Sequence, residues 1–140
     1  MKISIINGPN LNLVGTREPG IYGSETFEHF FQKLRKKYET IDFDYFQSNV
    51  EGELINEIQQ SAKHMDGIIL NAGGYTHTSV AIGDAIAAVK IPVVEVHISN
   101  VEAREEFRKL SHISAKCVGT ISGFGLQSYL LAVESFIKHI

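Results

Sequence analysis

The sequence predicts one α/β domain in which five parallel strands form a sheet with helices on both faces. Short apolar runs alternate with segments of helical periodicity along the whole 140-residue chain, the pattern of alternating strand and helix units. The hydrophobic fraction is 44% and the charged fraction is 21%, both ordinary for a packed globular protein. The length agrees with a single domain that spans residues 1–140.

Five segments have the composition of strands: residues 3–6, 41–46, 67–70, 93–98 and 117–121. The first, third and fourth are nearly continuous in apolar residues, as expected for parallel strands that are buried on both faces. In the second segment, Asp42 and Asp44 alternate with apolar residues. This alternation predicts an edge strand with one face partly exposed to solvent.

Five helices are predicted from apolar residues at helical spacing within 27–38, 54–62, 80–89, 102–110 and 126–137. The first helix follows Ser24, which is a plausible N-cap. The second follows Ser48 and Glu51, which have the spacing of a capping box. The fourth is short and charged, and the apolar stripe of the fifth includes Tyr129.

This order of elements fits a flavodoxin-like doubly wound sheet, for which 2-1-3-4-5 is one common strand order. In such sheets, ligands bind outside the carboxyl ends of the strands, near the point where the strand order reverses. The loops after strands one, three and four are therefore the expected place for chemistry.

Composition excludes several functional classes. Thirteen lysine and arginine residues against 16 aspartate and glutamate residues give a net charge of −3, which disfavours binding to a nucleic-acid backbone. No apolar run is long enough for a membrane span, and the first residues do not have the pattern of a signal peptide. The single Cys117 cannot form an intramolecular disulfide, which favours a reducing compartment. We therefore expect a cytoplasmic protein with no membrane or nucleic-acid partner.

Polar and charged residues follow three of the predicted strands. The long connection 7–23 lacks the GxGxxG and GxxxxGK[ST] patterns of nucleotide-binding loops. The glycine pair Gly73 and Gly74 lies where an anion can bind near the start of a helix. His97 ends the fourth strand, with Glu95 on the same face. The side chains expected to converge at this edge of the sheet are Asn10, Arg17, Tyr22, Asn71, His77, His97 and Ser99.

These side chains also have purely structural interpretations: Tyr22 as a surface aromatic, Arg17 as a solvated charge and His97 as a hydrogen-bonded group at a strand end. A zinc site is disfavoured because the other histidines have no clustered carboxylates. The GxSxG segment of α/β hydrolases is absent, and Asn71 stands where a receiver domain carries its aspartate. Acid-base chemistry without a metal or cofactor, on a small anionic molecule, is the interpretation that these exclusions favour.

Six segments match one known family in order along the whole chain: residues 7–13, 15–19, 22–23, 71–79, 94–100 and 103–108, in which NGPNLNL, GTREP, YG, NAG with YTHTS, VEVHISN and AREEFR are the matching letters. Together they closely resemble the type II 3-dehydroquinate dehydratases. The resemblance implies a flavodoxin-like subunit that dehydrates 3-dehydroquinate to 3-dehydroshikimate in the shikimate pathway. It also implies that the reaction uses no metal and no organic cofactor.

The same resemblance implies roles for individual residues. Tyr22 removes the proton next to the ketone to give an enolate, and His97 protonates the leaving hydroxyl. Arg17 favours the tyrosinate, and Asn10 is associated with a water that binds the developing enolate oxygen. The implied substrate-binding residues are Asn71, His77, Asp84, Ile98, Ser99 and Arg108.

The resemblance further implies a homododecamer built from trimers, in which Asp84 reaches into the site of a neighbouring subunit. Two positions depart from the family pattern, because Gly74 stands where alanine is expected and Gly83 stands where arginine commonly precedes the aspartate. The alternative interpretation is a flavodoxin-like module that binds a small anion without turnover.

Overall fold

The computed structural model describes residues 1–16 and 24–139 and contains the predicted five-stranded sheet. Its strands are β1 (Lys2–Asn7), β2 (Asp42–Gln47), β3 (Gly67–Asn71), β4 (Val93–His97) and β5 (Gly119–Ser122). The α-helices of the described residues are α1 (Phe27–Lys37), α2 (Glu51–Ser61), α3 (Val80–Ala88) and α4 (Gln127–Lys138). Short 3-10 helices lie at Leu11–Leu13, Gly73–His77, Val101–Ala103, Glu106–Lys109 and Ser114–Lys116.

All strand pairs are parallel, and the strand order is β2-β1-β3-β4-β5. The predicted order and the edge position of β2 are thereby confirmed. Asp42 and Asp44 of β2 are exposed, while Phe43 and Tyr45 are half-buried. The order reverses between β1 and β3, whose last residues, Asn7 and Asn71, are register partners. Two asparagines therefore lie side by side at the point where ligands are expected.

The core has one part on each face of the sheet. On one face, α1 and α4 pack their buried residues, such as Phe27 and Tyr129, against Ile5. On the other face, α2 and α3 pack residues such as Leu54 against Ile6. Neighbouring residues of β1 thus serve opposite faces, as the alternation of side chains along a strand requires. Each fully buried large apolar side chain stabilises the fold by about 1.5–3 kcal/mol.

Both predicted helix starts are wrong in detail. The N-cap of α1 is Thr26, whose Oγ1 accepts a hydrogen bond of 3.2 Å from the backbone N–H of His29, whereas Ser24 lies two residues earlier in a bend. The N-cap of α2 is Val50, so Ser48 and Glu51 form no capping box. The Ser48 hydroxyl instead accepts from Val50 N–H and binds the Glu53 carboxylate.

The predicted fourth helix over 102–110 is also wrong. Two 3-10 helices, Val101–Ala103 and Glu106–Lys109, replace it, with Arg104 and Glu105 in extended conformations between them. Neither short helix contains a buried residue. Because most helical stability in proteins comes from packing an apolar face, a charged segment without such a face does not maintain a regular α-helix.

The fifth strand is shifted along the chain, to Gly119–Ser122 instead of 117–121. In the described ranges 1–16 and 24–139, none of the helices has the length and apolar character needed to cross a bilayer.

Candidate active site

A small polar cleft lies at the carboxyl ends of β3 and β4, beside the loop that follows β1. Its volume is about 40 Å³. The residues that line it are Leu11, Asn71, Gly73, Gly74, His77, His97, Ile98, Ser99, Val101, Arg104 and Arg108. Six predicted site residues therefore meet in one cleft, although they come from two separate strand ends and the connections that follow them.

Among residues 1–16 and 24–139, two predicted site residues, Asn10 and Asp84, do not line this cleft. Asn10 lies in the same connection as Leu11, one residue before it. Asp84 is exposed on α3. Arg17 and Tyr22 lie outside the described residues.

Larger clefts lie elsewhere. One of about 700 Å³ is at the amino ends of β1 and β2, and it includes Lys2, Asp42 and His64 in its lining. Another of about 460 Å³ lies between α1 and α4. Chemistry rather than size selects the smaller cleft, because it gathers two histidines, two arginines and an asparagine. It also lies at the strand ends where doubly wound sheets bind ligands.

His97, which lines the cleft, forms a buried pair with Glu95. The exposed fractions are only 6% for His97 and 1% for Glu95. The two residues are two positions apart on β4 and therefore point to the same face, and Nε2 of His97 contacts Oε2 of Glu95. If Nε2–H donates to this carboxylate, Nδ1 is the ring nitrogen left for exchange with a ligand.

Two serines complete the surroundings of the Glu95 carboxylate. Its Oε1 accepts from Ser114 Oγ at 2.5 Å and from Ser111 Oγ at 3.4 Å. Burial alone raises the pKa of Glu95, but the hydrogen bonds from His97, Ser114 and Ser111 outweigh burial, and the pKa lies below its usual 4.5. Glu95 is therefore ionised at neutral pH. Sequence reasoning missed both serines, because nothing local to 111–114 indicates that this turn folds back onto β4.

His77 is held beside His97 by the backbone. Its Nδ1 lies 2.7 Å from the carbonyl oxygen of Leu110 and donates to it. The rings of His77 and His97 are nearly parallel, with an interplanar angle of 22° and centroids 6.3 Å apart. Burial lowers the pKa of His77; the Leu110 hydrogen bond opposes this change, and the charges of His97 and Arg108 reinforce it. His77 is therefore neutral at pH 7, with Nε2 as an acceptor.

Asn71 takes part in a network of side chains beneath the cleft. Its Nδ2 donates to the Tyr129 hydroxyl at 3.0 Å, and its Oδ1 accepts from the backbone N–H of Gly73 at 3.1 Å. The Tyr129 hydroxyl donates to Oδ1 of Asn7 at 2.7 Å. Sequence reasoning placed Tyr129 only in the apolar stripe of the last helix. The available signal was chemical, since a buried tyrosine hydroxyl needs a partner.

The loop after β1 approaches the loop after β3 closely. Gly8 N–H donates to the Asn71 carbonyl at 2.7 Å, and a Cβ at Gly8 would lie 2.5 Å from the Ala72 carbonyl oxygen. Only glycine permits this approach without displacement of the backbone. Asn10 follows in the left-handed region with φ 69°, where asparagine is tolerated, and its N–H donates to Oδ1 of Asn49 at 3.0 Å.

Two guanidinium groups, those of Arg104 and Arg108, line the cleft. Arg108 Nε donates to Glu105 Oε2 at 3.0 Å, and its guanidinium carbon lies 4.9 Å from the centroid of the Phe107 ring. Arg104 Nη1 donates to Ser99 Oγ at 3.4 Å. Guanidinium groups present paired donors that suit carboxylates. Sequence reasoning missed Arg104, although it lies in the AREEFR segment.

The two glycine departures have different surroundings. A Cβ at Gly83 of α3 would lie 2.5 Å from the carbonyl oxygen of His112, so this helix packs directly against the 111–114 turn. Apart from its two chain neighbours, no atom of residues 1–16 or 24–139 would lie within 4 Å of a Cβ at Gly74. This part of the chain therefore leaves space for the alanine that the family pattern leads one to expect.

Comparisons with known proteins show which family the chain belongs to. The model of the family described as dehydroquinase class II matches residues 1–137. A 3-dehydroquinate dehydratase of Fusobacterium nucleatum subsp. nucleatum is 54% identical over 144 residues, covering 99% of this chain and 98% of the relative. One of Campylobacter jejuni subsp. jejuni is 55% identical over 140 residues, covering 99% and 88%. The crystal structure of a type II dehydroquinase from Butyrivibrio crossotus has a TM-score of 0.95 and 45% identity, covering 99% and 98%.

Proposed function

Because this chain belongs to the class II dehydroquinase family, whose members are hydro-lyases, we propose that it dehydrates 3-dehydroquinate to 3-dehydroshikimate in the shikimate pathway. The observation that supports this most is that His97, which contacts the buried Glu95, lines a cleft together with two arginines. It supplies a positioned proton donor next to groups that attract a carboxylate.

In the proposed first step, the Tyr22 phenolate removes a proton from the carbon next to the ketone, and an enolate forms. An ordinary tyrosine has a pKa of about 10, so only about one molecule in a thousand is ionised at pH 7. In this proposal the charge of Arg17 stabilises the phenolate, and such an effect is larger where water is excluded. Both assignments rest on the family resemblance.

In the second step, His97 donates a proton to the leaving hydroxyl. The enolate electrons form the new carbon–carbon double bond, the carbon–oxygen bond breaks and water leaves. Glu95 holds the imidazole ring in one orientation through its contact with Nε2. The contact between the two side chains and their burial support this role.

The remaining cleft residues bind the substrate in this proposal. Arg108, with Asn71, His77, Ile98 and Ser99, surrounds the carboxylate and the hydroxyl groups. The neutral Nε2 of His77 suits acceptance of a hydrogen bond from a hydroxyl. Asn10 holds the water that binds the enolate oxygen.

The proposed assembly is a homododecamer built from trimers, in which Asp84 completes the cleft of a neighbouring subunit. Asp84 is exposed on α3 and does not line the cleft of its own chain. Its position supports a contribution from outside, since an exposed carboxylate on a helix is available to another copy of the chain.

The test is an assay of the purified, chelator-treated protein with 3-dehydroquinate, in which the ultraviolet absorbance of the conjugated enone is followed between about pH 6 and 9. Turnover is expected without added metal. Tyr22→Phe should remove almost all turnover and leave the circular-dichroism spectrum unchanged, because only the acidic hydroxyl is lost. If 3-dehydroquinate binds but no enone forms with the unmodified protein, the non-catalytic anion-binding module is the correct interpretation.

A further inference from the structure

The Tyr129 hydroxyl connects the ends of two strands from beneath the cleft. Tyr129 projects from α4, has an exposed fraction of 0% and is not among the residues that line the cleft. Its oxygen accepts from Asn71 Nδ2 at the end of β3, and its proton goes to Asn7 Oδ1 at the end of β1. Asn7 Nδ2 in turn lies 3.5 Å from the Tyr45 hydroxyl. One hydroxyl therefore links the ends of β1 and β3, where two of the loops that form the site begin.

The protons of this network determine the orientation of the Asn71 amide. Burial raises the pKa of Tyr129, although its hydrogen bonds to Asn71 and Asn7 act in the opposite direction, so the hydroxyl keeps its proton. Because that single proton is committed to Asn7, the tyrosine oxygen can only accept from Asn71. At the other end of the amide, Gly73 N–H can only donate to Asn71. A flipped amide would place acceptor against acceptor and donor against donor.

Packing does not require this hydroxyl. The Tyr129 ring lies among aromatic neighbours, with centroids 5.0 Å from Phe27 and 5.8 Å from Phe30. A phenylalanine ring at position 129 would fill the same space and make the same ring contacts. The hydroxyl adds only its two hydrogen bonds at the strand ends, and both are made to side chains at the switch point of the sheet.

We propose that Tyr129 is a positioning residue for substrate recognition: its hydroxyl fixes the Asn71 amide so that one N–H and one carbonyl lone pair face the ligand. The inference rests on the proposed function, because it takes Asn71 as a substrate-binding residue. The Asn71 amide has two N–H groups and two lone pairs, and the network uses one of each. Within residues 1–16 and 24–139 the other N–H and the other lone pair make no hydrogen bond, and Asn71 lines the cleft.

The first test compares Tyr129→Phe with Tyr38→Phe. The Tyr38 hydroxyl donates to Glu134 at 2.6 Å, between α1 and α4, and Tyr38 does not line the cleft. Tyr38→Phe therefore removes one hydrogen-bonded tyrosine hydroxyl outside the cleft and serves as the matched control. For Tyr129→Phe we expect the KM for 3-dehydroquinate to rise about tenfold, with kcat within about threefold, because a misoriented amide weakens binding more than chemistry. For Tyr38→Phe we expect neither constant to change.

A double-mutant cycle shows whether the effect passes through Asn71. In an Asn71→Ala background, Tyr129→Phe should raise KM by less than about twofold, because the group it orients is already gone. A folded Tyr129→Phe protein with wild-type KM, or a full tenfold rise in the Asn71→Ala background, would overturn the inference. Absence of turnover in the unmodified protein would instead refute the proposed function.

A measurement on the unmodified protein requires neither turnover nor a Tyr129 variant. Nitrogen-15 NMR spectra resolve the two side-chain N–H protons of Asn71, which are assigned by their loss in Asn71→Ala. We expect slow exchange with solvent and two well-separated proton shifts, since one proton is held by the Tyr129 oxygen. Shifts and exchange rates equal to those of a free asparagine side chain would contradict the proposed network.

Discussion

The Glu95 carboxylate is buried, yet it contacts three polar side chains: His97 on the same strand and two serines, Ser111 and Ser114, from a turn further along the chain. Its partnership with His97 follows from the spacing of two residues on one strand and was therefore predictable. Its bonds to Ser111 and Ser114 were not, because they depend on where a turn after β4 lies in space. The same distinction applies to Tyr129, since its helical spacing predicts burial but not the partners of its hydroxyl.

Ser114→Ala should reduce the pH dependence of stability. A carboxyl with a lowered folded-state pKa contributes stability that is fully present above its unfolded pKa, near 4.5 for Glu95, and is lost as pH falls through the folded-state value. Loss of the Ser114 hydrogen bond raises the folded-state pKa. The gain in unfolding free energy between about pH 3 and 6 should therefore be smaller than in the unmodified protein.

Urea unfolding across this pH range measures the effect. Ser135→Ala is the matched control, because its hydroxyl donates to the Ala132 carbonyl within α4 at 2.6 Å and does not contact Glu95. An identical pH dependence in Ser114→Ala and the unmodified protein would contradict the assigned role of Ser114.

His97→Asn should lower kcat by about 10²–10⁴-fold, the range typical for loss of a general acid, with a smaller change in KM. Exchange of the substrate proton with deuterium should persist, because proton removal is assigned to Tyr22. His64→Asn is the control, since His64 is exposed in the cleft at the other end of the sheet. If exchange and dehydration were lost equally, the division of roles between Tyr22 and His97 would be incorrect.

At the scale of elements, apolar runs located all five strands, because buried parallel strands need apolar side chains on both faces. The helix starts were less accessible to sequence reasoning. Ser24 and Thr26 both have capping side chains, and only the direction of the chain entering α1 selects Thr26. The segment 102–110 shows the limit more clearly, because its charge pattern allows a helix and only the absence of a packed face prevents one.

Thr26→Ala should destabilise the protein by about 1 kcal/mol, because the backbone N–H of His29 loses its acceptor, the Thr26 hydroxyl, at the start of α1. Ser24→Ala should change the unfolding free energy by less than about 0.5 kcal/mol, as for an ordinary surface substitution. Denaturant unfolding of the two variants at one pH provides the comparison. Equal destabilisation by the two substitutions would show that the cap is not specific to Thr26.

At the scale of the whole molecule, the doubly wound order determines which loops meet. The reversal of strand order between β1 and β3 places Asn7 beside Asn71, and β4 brings His97 next to them. The sequence predicted this convergence because strand order and loop position follow from the fold class. It did not predict that Leu110 would hold His77, since that contact depends on the path of an irregular segment.

The proposed assembly predicts that two inactive variants can restore activity when they are combined in one oligomer. If Asp84 acts in the cleft of a neighbouring subunit, Asp84→Asn and His97→Asn should each lower activity when present in every subunit. In mixed oligomers, an Asp84→Asn subunit keeps its own His97 and can receive Asp84 from a His97→Asn neighbour. With random 1:1 assembly around a closed ring, about half of the subunits keep His97, and about half of their neighbours keep Asp84. About a quarter of the sites therefore have both groups.

Co-expression of the two variants with different affinity tags, followed by purification on both tags, isolates the mixed oligomers. We expect them to recover about a quarter of the unmodified activity per subunit, well above either parent variant. Mixing the separately purified variants without subunit exchange is the control and should give no recovery. If Asp84 served the cleft of its own chain, every site in the mixed oligomers would lack one of the two groups. The activity of the mixed oligomers would then equal that of the two single variants, because no chain in them carries both Asp84 and His97.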